Sequence, residues 1–360
     1  MQLNILLLPG DGIGTEVTAE AVKVLEKVAQ KFGHAIHFSE GLLGGIAIHK
    51  TGTPLPPETV ELALKADATF LGAVGLPEFD NLAPEKRPER GLLGIRKALG
   101  VYANLRPVRS YKALLDSSPL KNHLVDGVDM IIVRELNGGI YYGTPRGISG
   151  EGAEERAVNT MTYSRAEIAR ITRMAFYLAS RRRKKVTSVD KSNVLESSQL
   201  WRRVTLEVAK DFPGVELDHL LVDNAAMQLV LNPKRFDVMV TENMFGDILS
   251  DEGAVLAGSI GMLPSASIGD RKESGAWVGL YEPVHGSAPD IAGQNKANPF
   301  GAIGSAAALL EYSFGLTAEA AAVNRAMEEV LNSGHVTADL KPKSAPASTT
   351  EVGSAVCGNI

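Results

Sequence analysis

Asp247 and Asp251 stand four residues apart in Asn243-Met-Phe-Gly-Asp247-Ile-Leu-Ser-Asp251. On a helix beginning near Gly246, that spacing brings both carboxylates to one face. Like charges so placed destabilise a helix by roughly a few tenths of a kcal/mol, so the arrangement suits a divalent cation. Only oxygen donors are on offer, which favours Mg²⁺ or Mn²⁺ over zinc. Acidic residues are also welcome at a helix start, so spacing alone leaves both readings open. Lys191, in Val189-Asp-Lys191-Ser-Asn193-Val194, and Asp223, in Val222-Asp223-Asn224, each follow an apolar run. The ends of parallel strands are the usual active-site edge of an α/β sheet. A partly desolvated lysine there can act as a neutral base, while a solvated cap with a surface lysine is the simpler alternative.

Three arginines carry a second chemistry: Arg96 in Leu92-Leu93-Gly-Ile-Arg96, Arg106 in Asn104-Leu-Arg-Pro, and Arg134 in Ile132-Val-Arg-Glu. The guanidinium fork binds carboxylates in bidentate fashion, so three converging ones would hold a di- or tricarboxylate. Arg134 stands out because it ends an apolar strand. The long polar stretch Glu282-Pro-Val-His285-Gly-Ser-Ala-Pro-Asp290-Ile291-Ala-Gly, followed by Ala297-Asn298-Pro299, reads as a binding loop. Gly10-Asp-Gly-Ile-Gly14 only partly meets the dinucleotide fingerprint. Its third glycine comes one position early and Glu40 lies about 26 residues beyond Gly14, so a tight strand-to-helix turn explains it more simply.

The elements that must position these residues follow from periodicity. Apolar runs predict strands at Leu3–Leu8, Ile36–Ser39, Ala68–Leu71, Asp129–Arg134, Val186–Val189, Leu220–Val222 and Asp237–Val240. Between them, Val17, Ala21, Val24, Leu25, Val28 and Phe32 mark one helix, ended by Gly33. Ser164-Arg-Ala-Glu167 is a capping box opening another; further helices run from near Asn193 to about Lys210 and over Thr317–Asn332, and Lys341–Thr350 reads as a surface loop. Strands alternating with helices specify an α/β class. The 360 residues suggest about two domains with a sizeable core.

Composition narrows the function classes. A net charge of −5 gives no general attraction to nucleic acid or anionic membrane. The one basic run, Arg181–Lys185, closes a helix, where cations complement the dipole, and no aromatic residues interleave it. The lone Cys357 allows no intramolecular disulfide and no cysteine zinc site. No apolar run reaches the ~18 residues of a membrane span, and the N-terminus does not read as a signal peptide. With a single cysteine, a reducing, cytoplasmic compartment is expected. Glycine, 36 residues of 360, exceeds the usual share and points to tight turns and close backbone approach to ligands.

Taken together, Leu8-Pro-Gly-Asp-Gly-Ile-Gly14, Val133–Leu136, Ile140–Gly143, Val189–Glu196, Asn243–Asp251 and Glu282–Gly293 occur in the order found in the isocitrate/isopropylmalate (β-decarboxylating) dehydrogenases. The chain resembles that family over about residues 3–340. The resemblance implies a two-domain α/β fold with a large mixed sheet, not a standard Rossmann fold. The first, cofactor-binding domain would comprise 1–101 and 258–360, and the second, carrying dimerisation, metal and substrate functions, 102–257. It also implies a homodimer with shared active sites, with no nucleic-acid or membrane partner.

The activity implied is NAD-dependent oxidative decarboxylation of (2R,3S)-3-isopropylmalate to 2-oxoisocaproate, in leucine biosynthesis. The relatives acting on D-malate, tartrate, isocitrate or homoisocitrate are the alternative. Isocitrate carries a third carboxylate where isopropylmalate carries an isopropyl group; Leu92 and Leu93 suit the latter, and Glu89 would repel the former. By resemblance, Arg96, Arg106, Arg134, Asn193, Val194 and Asp223 complete the substrate contacts. Asp223 of the other subunit, Asp247 and Asp251 hold Mg²⁺ or Mn²⁺; Lys191, assisted by Asp223, takes the hydroxyl proton, and Tyr141 returns one. Ile13, Leu76, Glu89, Glu282, His285, Gly286, Ser287, Ala288, Asp290, Ile291, Asn298 and Asp339 serve NAD⁺, with Asp290 matching a free ribose 2′-hydroxyl. A monovalent cation such as K⁺ is also implied. Departures from the pattern are Thr15 for a common Pro, Phe79 for Trp, and Gly253 for Ala.

Overall fold

The computed structural model describes residues 1–256, 258–273 and 275–360. Its strands in chain order are β1 (Gln2–Gly10), β2 (Ala35–Glu40), β3 (Ala68–Ala73), β4 (Ala103–Arg109), β5 (Asp129–Glu135), β6 (Gly143–Ser149), β7 (Arg156–Thr160), β8 (Lys185–Asp190), β9 (Glu216–Leu221), β10 (Val238–Thr241), β11 (Pro264–Arg271) and β12 (Trp277–Pro283). Two compact units result. One comprises 1–101, 110–119 and 258–360, the other 102–109 and 120–256. The expected second domain took in 110–119, which instead packs with the first unit: Ser117 donates a hydrogen bond to the Leu340 carbonyl at 2.8 Å, and Lys112–Ser117 touches the helix Thr317–Ser333. The expected boundary residue 257 lies outside the described residues.

In the first unit the strand order is β2-β1-β3-β12-β11, parallel except for the antiparallel β11–β12 pair. Helices cover both faces, so β1 and β3 are apolar runs rather than alternating ones. The helix Gly14–Phe32 lays Val17, Ala21, Val24, Leu25 and Val28 against the sheet and stops at Gly33 (φ 74°). Phe300–Phe314 packs on β11 and β12. Elsewhere Leu6, Leu8, Leu43, Leu71, Ile95 and Leu280 form a buried cluster on which Leu92 of the helix Pro88–Leu99 leans. Burying each such leucine stabilises the fold by roughly 2 kcal/mol.

The glycine-rich turn after β1 is structural. Gly10 has φ 71°, and a Cβ there would collide with the Ala73 carbonyl. The turn buries Asp11, whose carboxylate accepts from the backbone amides of Gly45, Ile46 and Gly75, each at 2.8 Å. Two segments distant in sequence, at 45–46 and at 75, are thereby fastened to one side chain. Thr15 donates back to the Gly12 carbonyl at 3.2 Å, and the Phe79 ring lies 5.0 Å from that of His49.

The second unit has the order β4-β5-β10-β8-β9, parallel except for the antiparallel β4–β5 pair. Arg165–Ser180, opened by the predicted Ser164–Glu167 capping box, and Glu196–Ala209 pack together on one face. Asn243–Leu256 packs on β4 and β5. β6 and β7 form a separate, exposed two-stranded hairpin. The basic run is absorbed by this unit. Arg182 binds Asp237 and Asp129 at 2.9 and 2.7 Å, Arg183 donates to the carbonyls of Asp129 and Phe236, and Arg181 sits 3.7 Å over the Tyr177 ring.

Several expected boundaries shift. Val222 begins a helix, Val222–Leu231, instead of ending a strand. The helix expected from Asn193 starts at Glu196, because 191–195 forms a turn in which Val194 and Leu195 both donate to the Lys191 carbonyl at 3.0 Å. The loop expected through Thr350 gives way at Thr349 to the helix Thr349–Asn359, opened by an unrecognised capping box of Ser348 and Glu351. Among the described residues no helix is long and apolar enough to cross a membrane.

Candidate active site

Three neighbouring parallel strands of the second unit bring their C-terminal ends into one row. Arg134 on β5 is in register with Thr241 on β10, and Thr241 with Val189 on β8. One residue further along each stands a buried carboxylate: Glu135, Glu242 and Asp190, at 0%, 3% and 1% exposure. Each ties down the loop that leaves its strand. Glu135 accepts from the amides of Asn137 and Gly138 and pairs with Arg170. Glu242 accepts from the amides of Met244 and Phe245 and from the Tyr163 hydroxyl. Asp190 takes both ends of the Arg202 fork and the Ser192 amide. Burial raises the Glu135 and Glu242 carboxyls above their ordinary value, against the pull of these donors. Anchoring by Glu242 also starts the next helix at Asn243, earlier than the expected Gly246.

The carboxylates Asp247 and Asp251 do lie one turn apart on that helix, and two arginines meet them. Arg134 donates to Asp247 Oδ1 from Nη1, and from Nε and Nη2 to Asn243 Oδ1 at 3.0 and 2.9 Å. Arg106, on β4, reaches Asp251 Oδ1 at 3.2 Å and Ser250 Oγ at 2.5 Å, with Asn104 taking its Nε at 2.8 Å. The Tyr141 hydroxyl donates to Asp247 Oδ2 at 3.0 Å. Partial burial, then the Asp247 charge, hold the Tyr141 phenol above its ordinary value, so at neutral pH it remains a proton donor. Both guanidinium groups are nearly buried, whereas Asp251 is 63% exposed, so the charge balance is fixed on one side and open on the other.

Lys191 and Asp223 form a separate pair, with Nζ 2.5 Å from Oδ1. The hydrogen bond from Lys191 holds the Asp223 carboxyl below the usual range. Asn193 and Val194, beside Lys191, are exposed. Within one chain Asp223 does not join Asp247 and Asp251: among the described residues no three acidic, histidine or cysteine groups come together as a metal cluster.

In the first unit, hydrogen bonds tie together several of the residues expected to serve the cofactor. Ile13 donates its amide to the Ser287 carbonyl at 2.8 Å, and Ala288 takes a positive φ of 37°. Asn298 donates to Asp339 at 2.9 Å, and Asp339 also accepts from Ser259 and Thr337. His285 is buried, with Nδ1 placed 2.9 Å from the Gly286 carbonyl and Nε2 without a hydrogen-bond partner among the described residues. Burial lowers its basicity, so the ring is neutral and the orphaned Nε2 is an acceptor. Glu89 and Asp290 are exposed, while Leu76 and Ile291 are half-buried. Arg96, expected on substrate, is ion-paired with Glu282, expected on cofactor. Sequence reasoning missed Glu16, whose carboxylate accepts from the amides of Gly293 and Asn295 and so fastens the loop to the first helix. It also missed Asn104, Asn243 and Ser250, the polar groups that seat the two arginines.

The family described as isocitrate/isopropylmalate dehydrogenase matches residues 4–356. The 3-isopropylmalate dehydrogenase of Geobacillus kaustophilus (strain HTA426) is 62% identical over 339 residues, covering 94% of this chain and 90% of its own. That of Priestia megaterium (strain DSM 319 / IMG 1521) is 60% identical over 340 residues, covering 94% and 91%. Among solved structures, isocitrate dehydrogenase from Methylococcus capsulatus superimposes with a TM-score of 0.86 at 35% identity, covering 99% of both chains.

Proposed function

The chain belongs to the isocitrate/isopropylmalate dehydrogenase family, and from that premise we propose that it oxidises and decarboxylates (2R,3S)-3-isopropylmalate to 2-oxoisocaproate with NAD⁺, in leucine biosynthesis. One observation carries the reading: two nearly buried guanidinium groups, Arg106 and Arg134, converge on two carboxylates spaced one helical turn apart. That combination suits a hydroxy-dicarboxylate and a hard divalent cation together. By the resemblance, Leu92 and Leu93 would offer apolar contact to an isopropyl group, and Glu89 would oppose a third carboxylate.

The residues fit both a divalent cation and NAD⁺. The exposed Asp251 and the half-buried Asp247 supply oxygen donors, and Asp223 is the third ligand we assign, from a second copy of the chain. When bound, Mg²⁺ or Mn²⁺ supplies Lewis acidity beside the substrate hydroxyl and offsets the negative charge left by decarboxylation. NAD⁺ supplies the hydride acceptor. The orphaned His285 Nε2 suits an amino group of the adenine, and the exposed Asp290 suits a ribose diol and repels a 2′-phosphate.

Arg106 and Arg134 bind and orient the substrate carboxylates. Lys191 acts as the base only as the neutral amine, having released to solvent the proton it carries in its pair with Asp223; its Nζ then takes the hydroxyl proton, and Asp223, 2.5 Å away, holds the ammonium that forms. After loss of CO₂, the Tyr141 hydroxyl, still protonated at neutral pH, delivers a proton to the enolate carbon.

A second copy has a surface to meet. Met227 and Leu231 on the helix Val222–Leu231, and Ile248 and Val255 on Asn243–Leu256, are exposed apolar residues on the two helices that carry Asp223 and Asp247. Apolar side chains grouped in this way mark a protein interface, and we infer a homodimer in which each subunit lends Lys191 and Asp223 to its partner. Treatment with EDTA should abolish NADH formation from 3-isopropylmalate, and excess Mg²⁺ should restore it. Undiminished turnover after exhaustive chelation contradicts the metal assignment.

A further inference from the structure

Asn243 occupies a position between the substrate clamp and the buried acidic row. Its Oδ1 accepts two donors of the Arg134 fork, Nε at 3.0 Å and Nη2 at 2.9 Å. Its Nδ2 donates to the carbonyls of Leu136 and Gly138, at 3.2 and 3.1 Å, in the loop that leaves Arg134's own strand. Those two donors fix which way the amide faces, so the oxygen must point at the guanidinium. The backbone of Asn243 is held in turn: its N–H donates to the Tyr163 hydroxyl at 2.9 Å, and that hydroxyl donates to Glu242 at 3.1 Å. Tyr163 packs edge-on against Trp201, with ring centroids 5.6 Å apart and planes at 79°. Trp201 is anchored to Ser188 of β8 through Nε1 at 3.1 Å. Asn243 is 1% exposed, and burial together with the neighbouring acids keeps the Tyr163 phenol protonated.

We propose that Asn243, steadied by Tyr163 and Glu242, is a positioning residue: it holds the Arg134 guanidinium in the plane and direction that a substrate carboxylate requires. Arg134 also pairs with Asp247, so removing Asn243 leaves the arginine charged and in place but without its fixed orientation. The consequence is specific. Binding of the dicarboxylate weakens, binding of NAD⁺ does not, and the loss exists only while Arg134 is present. This deepens the functional reading above and rests on it.

The test is a double-mutant cycle on the full chain, with Asn243→Ala, Arg134→Ala and the pair, and with Tyr163→Phe as a milder perturbation should Asn243→Ala fold poorly. Asn243→Ala should raise the KM for 3-isopropylmalate about tenfold, the scale of one charge-assisted hydrogen bond, with the KM for NAD⁺ unchanged within about twofold. In the Arg134→Ala background it should add less than about twofold. Tyr163→Phe should shift the same KM in the same direction by a smaller factor. Equal effects of Asn243→Ala with and without Arg134, or a rise in both KM values together, overturns the proposal. Calorimetric titration of malonate, a minimal dicarboxylate, is run through the same cycle. If the wild type ignores 3-isopropylmalate, the functional reading fails, while the malonate cycle still decides this one. Additive losses in it, or no Arg134-dependent binding at all, overturns the positioning role.

Discussion

Replacing Lys191 with alanine should lower kcat for 3-isopropylmalate by about 10³-fold while changing its KM only a few-fold, as expected for loss of a positioned general base. The pair it forms with Asp223 is short and partly exposed, and it stands apart from the Arg134–Asp247–Tyr141 cluster. One chain therefore holds the base in one place and the clamp, with its proton donor, in another. If a partner subunit brings the two together, a Lys191→Ala chain and a Tyr141→Phe chain are complementary. Their mixed dimer contains one site with both native residues. Unfolding and refolding the two variants together should give activity well above the sum of the separately refolded parents. Activity no greater than that sum excludes sharing in this form, and a Lys191→Ala enzyme with near-native kcat removes Lys191 from the mechanism.

Gly246→Ala is expected to be nearly as damaging, for a purely steric reason. A Cβ on Gly246 would sit 2.7 Å from Arg134 Cγ and 2.8 Å from Arg134 Cβ, with Thr241 Cγ2 at 3.1 Å. These are stem atoms close to the backbone of a buried strand, which cannot swing aside as the tip of a flexible side chain could. The arginine must move, and displacement of a substrate-positioning group by about 1 Å can lower kcat/KM by about 10²-fold. Helix propensity alone would favour alanine by about 1 kcal/mol, so activity should fall without a matching fall in melting temperature. Gly253, in the same helix, is the control. A Cβ there meets only side-chain carbons, the nearest being Val108 Cγ2 at 3.1 Å and Ile132 Cδ1 at 3.4 Å, and none belongs to the clamp. Gly253→Ala should leave kcat/KM near wild type. If both substitutions reduce activity equally, the helix as a whole is responsible rather than contact with Arg134.

The parts of this fold that could be read from the chain are those set by local rules. β1, β3 and β5 announce themselves as apolar runs because they are covered on both faces, and Ser164 with Glu167 opens its helix through contacts three residues apart. β4 hides because its buried positions include Asn104 and Arg106: Asn104 accepts from Arg106 Nε, and Arg106 finds its other partners far along the chain in Ser250 and Asp251. The helix Thr349–Asn359 was legible through Ser348 and Glu351, but Pro and Ser just before it gave the stretch the look of a loop. The site divides in the same way. Motif order identified Arg106, Arg134, Tyr141, Asp247 and Asp251, and the structure brings these five together. That Arg96 pairs with Glu282, that Asp11 fastens the segments at 45–46 and 75, and that Glu135, Glu242 and Asp190 align at adjacent strand ends depends on register between strands distant in sequence. No local pattern encodes such register.

The central claim is the substrate, and it is decided by kcat/KM with NAD⁺ for 3-isopropylmalate, isocitrate, D-malate and tartrate under one set of conditions with saturating Mg²⁺. If Arg106 and Arg134 clamp the substrate as proposed, and Leu92, Leu93 and Glu89 have the roles that the resemblance implies, 3-isopropylmalate is preferred over each of the others, with isocitrate disfavoured by its third carboxylate. A higher kcat/KM for any of the other three contradicts the account.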